Sequence, residues 1–134
     1  YGIPINESYI ESGSHFSYES GYTAMKKLLS LDDIPTAVFA SSDMVAVGAI
    51  KAIRDAGLSV PDDISIVGFD DIELAQHITP ALTTVCQNKE LMGRRAADVL
   101  INQINQKDDD YTGEYTAVVL PVELIVREST KSIN

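Results

Sequence analysis

Apolar positions along this chain switch between short unbroken runs and runs spaced three or four residues apart. Tyr22, Met25, Leu28 and Leu29 fall on one side of a helical wheel, so the spacing predicts a helix from Tyr18 to about Leu31. Ser17 offers a capping oxygen, and Glu19 puts an acid in the first turn, where a helix has unpaired N–H groups. Pro35 marks its end. Thr36 to Ala40, TAVFA, is short, apolar and bounded, which is the pattern of a buried strand. The stretch SSDMVAVGAIKAIRDAG then opens on capping residues and closes at Gly57, a natural position just past a helix end. Ala46, Ile50 and Ile53 share one face of this second helix, with Met44 and Val47 flanking it. Val60-Pro61-Asp62-Asp63 is a turn opener, and Ile64 to Phe69 is the next buried strand. Strands joined through helices imply parallel pairing.

Outside this central part the pattern is looser. Ser8 to Glu11 reads as a short strand. Pro80 precedes a β-rich stretch from Leu82 to Val85. Asn88 to Gln106 is a helix with Asn88 as its cap and Met92, Ala96, Val99 and Leu100 on one side. KDDDYTGEY, residues 107–115, is an exposed acidic loop. Thr116 to Val126 alternates at Val122, Leu124 and Val126 as a last strand, with Pro121 forcing a bend or an edge position. The whole predicts an α/β fold on a parallel sheet, with no internal repeat.

Composition narrows the class. At 134 residues the chain is one domain or a piece of one. Hydrophobic residues at 45% and charged residues at 22% fit a soluble globular protein. No apolar run approaches the roughly 20 residues of a membrane span. No basic and apolar leader opens the chain, and a start at Tyr1 reads as a cut from something longer. The net charge of −10 comes from 20 acids against 10 bases. Such a surface repels phosphate backbones, so the chain alone is a poor nucleic-acid binder. The single cysteine, Cys86, forms no internal disulfide, which fits the reducing cytosol. His15 and His77 lack metal-ligand spacing. With no nucleophile elbow, phosphate loop or metal box, the chain is expected to be no enzyme and to need no cofactor.

The candidate chemistry sits at strand ends, because ligands of open parallel sheets bind beyond the carboxyl ends of the strands. One tip, SGSHFS, offers Phe16. The next offers Ser42 and Asp43. The third, in SVPDDISIVGFDDIELA, ends an apolar strand in Asp70 and Asp71. Carboxylates and a hydroxyl can share hydrogen bonds with a polyol, and an aromatic face covers the C–H side of a sugar ring. On the residues alone other readings stay open: Ser42 or Asp43 as a helix cap, Asp70 as a solvated strand end, Phe16 as core. An enzyme using Asp43 and Asp70 as acid and base also stays open.

Several blocks together carry a resemblance. Pro35 to Phe39, the helix start at Asp43, Val60 to Asp71, PALTTV at Pro80 to Val85, and LPVELIVREST at Leu120 to Thr130 resemble, in this order, the lactose-repressor (LacI/GalR) family of bacterial transcription regulators. The resemblance implies a type I periplasmic-binding-protein-like fold with three-layer α/β lobes. It implies the carboxyl-terminal part of an effector-binding and dimerisation domain, with residues about 1–86 and 117–130 in one lobe and about 88–116 belonging with the other. The implied ligand contacts are Asp70, Asp43, Ser42, Phe16 and Gln87, with Ser42 standing where the family usually has asparagine and Asp71 in a structural role. The implied interface of a homodimer includes Val47, Lys51, Leu74 and Ile78. The effector is expected to be a small molecule, a sugar above all. Operator DNA would be reached only through a separate amino-terminal headpiece, and the protein would be cytoplasmic, with no membrane partner. A periplasmic sugar-binding protein of a transporter is the alternative.

Overall fold

Helix α1 (Tyr18–Leu28) begins where Ser17 and Ser20 cap each other, each side-chain oxygen accepting the other's backbone N–H at 3.2 Å. It ends three residues short of the Leu31 expected. Ser30 caps the Lys27 carbonyl at 2.7 Å, and the Leu31 N–H turns back to the Leu28 carbonyl, so the last residues close as a turn. Strand β1 (Ala37–Phe39) leads into helix α2 (Asp43–Asp55), capped by the Ser42 hydroxyl on the Val45 N–H. Gly57 follows α2 in the left-handed region, φ +79°, as its place in the sequence predicted. Strand β2 (Ser65–Phe69), a 3-10 turn at Glu73–Gln76, strand β3 (Thr83–Gln87), helix α3 (Lys89–Asn105) and strand β4 (Val122–Ile125) complete the order. This computed structural model describes residues 2, 4–12, 15–105 and 117–132.

The sheet order is β1-β2-β3-β4, and β2 runs parallel to both β1 and β3, with Val38 opposite Ile66 and Val67 opposite Thr83. The α/β class and the parallel pairing are therefore as expected. The chain divides into two units, Tyr1–Cys86 with Leu124–Asn134, and Gln87–Glu123. The core of the first unit joins Met25 and Leu28 of α1, Ala46, Ile50 and Ile53 of α2, and Ile66 of β2. Helices α1 and α2 touch backbone to backbone. A Cβ on Gly21 would collide with the main chain of Val45, and one on Gly48 with the main chain of Tyr18.

Three local expectations change. Ser8 to Glu11 is no strand: Asn6 accepts the Ser8 N–H at 3.1 Å and winds Glu7–Tyr9 into a 3-10 turn. TAVFA is not buried throughout. Strand β1 lies at the edge of the sheet, which leaves Phe39 64% exposed. The last strand begins at Val122, directly after Pro121, which lacks the N–H that a ladder needs. In the second unit Asn88 caps α3 through the Leu91 N–H at 2.9 Å, as expected. Met92, Ala96, Val99 and Leu100 of α3 face Val118 and Leu120 across a shallow cleft. Gln106, the acidic loop 107–115 and Thr116 lie outside the described residues. No helix among the described residues is long and apolar enough to cross a membrane.

Candidate functional site

The carboxyl ends of β1 and β2 gather the acids that the sequence singled out. After Phe69 the chain turns through two successive left-handed residues, Asp70 at φ +116° and Asp71 at φ +50°. Residues other than glycine rarely adopt this region. The Asp70 N–H still pairs with the Val85 carbonyl at 2.9 Å, so Asp70 remains registered on β3 while its backbone leaves the strand. Asp70 and Asp71 are both half-buried.

Asp71 is tied down as a structural residue. Its Oδ1 accepts from the Arg127 guanidinium at 2.7 Å, in a pair about four-fifths buried, with side-chain exposures of 19% for Arg127 and 22% for Asp71. Arg127 also donates to the Leu82 carbonyl at 2.8 Å through Nη1, and its backbone N–H reaches Thr83 Oγ1 at 2.9 Å. Behind it, Ser129 is fully buried between β2 and β3. Its hydroxyl donates to the Ile66 carbonyl at 2.6 Å and accepts the Thr83 N–H at 2.8 Å. The closing VREST is thus a fastening of the tail onto the sheet beside the Asp70 turn.

Asp43 is the deepest of the acids, with no exposed surface. Its Oδ2 accepts the Ile72 N–H at 2.8 Å and its Oδ1 accepts the Thr84 hydroxyl at 2.5 Å. Space for that carboxylate comes from Gly68, where a Cβ would overlap Oδ1 and stand 2.9 Å from the Leu82 side chain. Ser42 is also buried and spends its hydroxyl as the α2 cap. Capping by Ser42 was one of the readings that the sequence left open.

A cavity with aromatic lining runs along β1. Phe16 is 75% exposed and lines a cavity of about 380 Å³ with Phe39, Ser41, His15 and Tyr9, among others. Neither Asp43 nor Asp70 is part of that lining. Phe39 and Phe69, at the ends of adjacent strands, meet edge to face with ring centres 6.4 Å apart. Gln87 ends β3 and opens the second unit. Of the residues expected at a dimer interface, Val47 is half-buried, Leu74 is exposed, and Ile78 packs in part against the core of its own unit. Lys51 is exposed and paired with Asp55, which also accepts the Tyr22 hydroxyl at 3.1 Å. The hydrogen bond from Lys51 holds the Asp55 carboxyl below its usual range and lifts Lys51 above its own, while donation to Asp55 lifts the Tyr22 phenol.

Sequence reasoning missed Thr84, Arg127 and the Phe39–Phe69 pair as parts of this region. A hydroxyl inside the apolar LTTV run, and an arginine closing an apolar strand, were the signals available. Each is a polar group in a setting that demands a buried partner.

The model of the periplasmic binding protein-like domain family, a fold of parallel α/β lobes, matches residues 1–130. The chain is a member of that family, in the LacI-type branch of transcription regulators. Over 131 residues it is 41% identical to the HTH-type transcriptional repressor PurR of Haemophilus influenzae strain PittEE, covering 98% of this chain and 38% of that protein. The transcriptional regulator CelR in complex with cellobiose superposes with a TM-score of 0.81 at 40% identity, over 96% of this chain and 38% of that one. The lac repressor dimer bound to operator and the anti-inducer ONPF gives a TM-score of 0.73 at 35% identity, over 87% of this chain and 39% of that one. The chain therefore spans about 38% of the length of the curated relatives it matches. These relatives are regulators rather than enzymes.

Proposed function

We propose that this chain is the effector-binding and dimerisation region of a LacI-type repressor of the cytoplasm. A small effector, a sugar or a purine, binds beyond the carboxyl ends of the strands and sets the operator affinity of the whole protein. The observation that carries the reading is Asp70, an acid at a strand tip in a left-handed turn, φ +116°, that the surrounding structure holds in place. Backbone conformations of this kind persist where the neighbourhood over-determines them, and they cluster at ligand sites. A sugar is favoured. A carboxylate accepts from vicinal hydroxyls, and the exposed Phe16 ring offers a face to C–H groups. Gln87 supplies a further amide to the same ligand, and Ser42 stabilises the helix start beside it. A homodimer forms through Val47, Lys51, Leu74 and Ile78, and operator DNA is held by a DNA-binding region distinct from these acidic residues.

The test is thermal unfolding of the full-length protein against cellobiose, other mono- and disaccharides and free purine bases. A ligand at 100 times its Kd stabilises the native state by about 2.7 kcal/mol. The effector should raise the melting temperature and change operator affinity in the same concentration range. A ligand that stabilises the protein and leaves operator affinity untouched would overturn the regulatory reading. Chemical conversion of the ligand on long incubation would overturn the non-enzymatic one.

A further inference from the structure

We infer that Asp43, Thr84 and Arg127 are positioning residues for Asp70, forming a clamp that sets its turn before any ligand arrives. Asp43 acts here through the backbone rather than as a ligand contact. The inference rests on the proposal that Asp70 binds the effector.

Asp70 and Asp71 both occupy the left-handed region, and neither is a glycine. Support comes from three directions. From below, Asp43 Oδ2 takes the Ile72 N–H at 2.8 Å, which fixes where the chain emerges from the turn. From β3, Thr84 donates its one hydroxyl proton to Asp43 Oδ1 at 2.5 Å, so its lone pairs are left to face the Asp71 N–H at 3.4 Å. From the tail, Arg127 grips the Asp71 carboxylate at 2.7 Å. Asp71 and Ile72, the residues directly after Asp70, are thereby each bonded to a side chain from elsewhere in the chain.

The parts of the clamp are themselves held. Asp43 opens α2, where the helix N-terminus favours a negative charge. Gly68 leaves room for its carboxylate. Arg127 is fixed by the Leu82 carbonyl and by the buried Ser129 two residues on. Burying a carboxylate, even one that accepts from an N–H and a hydroxyl, is a costly way to stabilise a fold. It is a direct way to fix the path of a loop, and a preset loop avoids the ordering cost of binding.

The experiment uses the full-length protein, with amide hydrogen exchange at residues 71 and 72 and calorimetric titration of cellobiose as its two readouts. Asp43→Asn, Thr84→Val and Arg127→Met should each speed exchange at these two amides by about tenfold or more, as expected when a local opening becomes easier. Thr84→Ser, which keeps the hydroxyl, should restore wild-type exchange. Each of the three variants should weaken cellobiose binding about tenfold, measured well below its own melting temperature. In an Asp70→Ala background none should weaken it further, because residues acting through one group are not additive. A purely structural role would not vanish in that background. Wild-type exchange at residues 71 and 72 in all three variants would overturn the clamp whatever the protein binds. So would wild-type affinity in all three alongside a loss in Asp70→Ala. Unchanged affinity in Asp70→Ala would instead overturn the ligand reading, and the exchange data would still judge the clamp.

Discussion

Ser129→Ala should destabilise the first unit by about 2–4 kcal/mol, although it deletes a single oxygen. Ser129 has no exposed surface. Its hydroxyl serves two backbone groups, donating to the Ile66 carbonyl at 2.6 Å and accepting the Thr83 N–H at 2.8 Å. Its own carbonyl takes the Ile66 N–H at 2.8 Å, a bond that alanine keeps. The substitution therefore orphans one buried donor and one buried acceptor, on β2 and β3. Each unsatisfied buried group costs about 1–3 kcal/mol. Removing the hydroxyl also removes its own desolvation, so the lower part of the summed range applies. A domain of this size is typically stable by about 5–15 kcal/mol, so the loss is large. Urea unfolding of the full-length protein, followed by circular dichroism, should show the midpoint of the affected transition lowered by roughly 1–2 M at an unchanged slope. Ser132→Ala, at an exposed position three residues on, should shift stability by less than about 0.5 kcal/mol. If Ser129→Ala proves as mild as Ser132→Ala, the tail does not fasten the two strands and this account of VREST is wrong.

Other outcomes follow from the same geometry. Asp70→Ala should weaken effector binding roughly 10- to 100-fold by calorimetry, the loss expected for a hydrogen bond to a charged group; an unchanged Kd would remove Asp70 from the site. Val47→Asp should turn dimers into monomers in sedimentation with the circular dichroism preserved, since an unpaired acid in a desolvated patch costs several kcal/mol; a folded variant that stays dimeric would move the interface elsewhere. Residues 1–134 alone, with a net charge of −10, should give no discrete complex with operator DNA in a low-salt gel shift, where electrostatic binding is strongest. A competable band would refute that expectation.

What could be read beforehand depended on how local the deciding interaction is. Helices α1 and α2 were legible because their caps and apolar stripes lie within a few residues of each other, and Gly57 ended α2 as expected. Strand β2 was legible from an unbroken apolar run. The exposure of Phe39 was not, because an apolar run does not say whether its strand is central or at an edge. The 3-10 turn at Glu7–Tyr9 was hidden for the opposite reason: one short bond from Asn6 outweighs the β pattern of the residues after it. At the site, the position of Asp70 at a strand tip could be read, but its supports could not. Arg127 is 56 residues from Asp71, and Thr84 is 41 from Asp43. No pattern in a single sequence encodes such pairings.

The two adjacent acids at the end of β2 illustrate how position alone divides labour between identical side chains. Asp71 is paired with a guanidinium, so its charge is spent inside the protein. Asp70, the residue before it, keeps its backbone N–H on the Val85 carbonyl at 2.9 Å. An apolar strand that ends in one acid could leave it a solvated terminus. Ending in two lets the second, with its arginine, determine the direction of the first. That is why the paired acids of GFDD argue for a built site more strongly than either residue does.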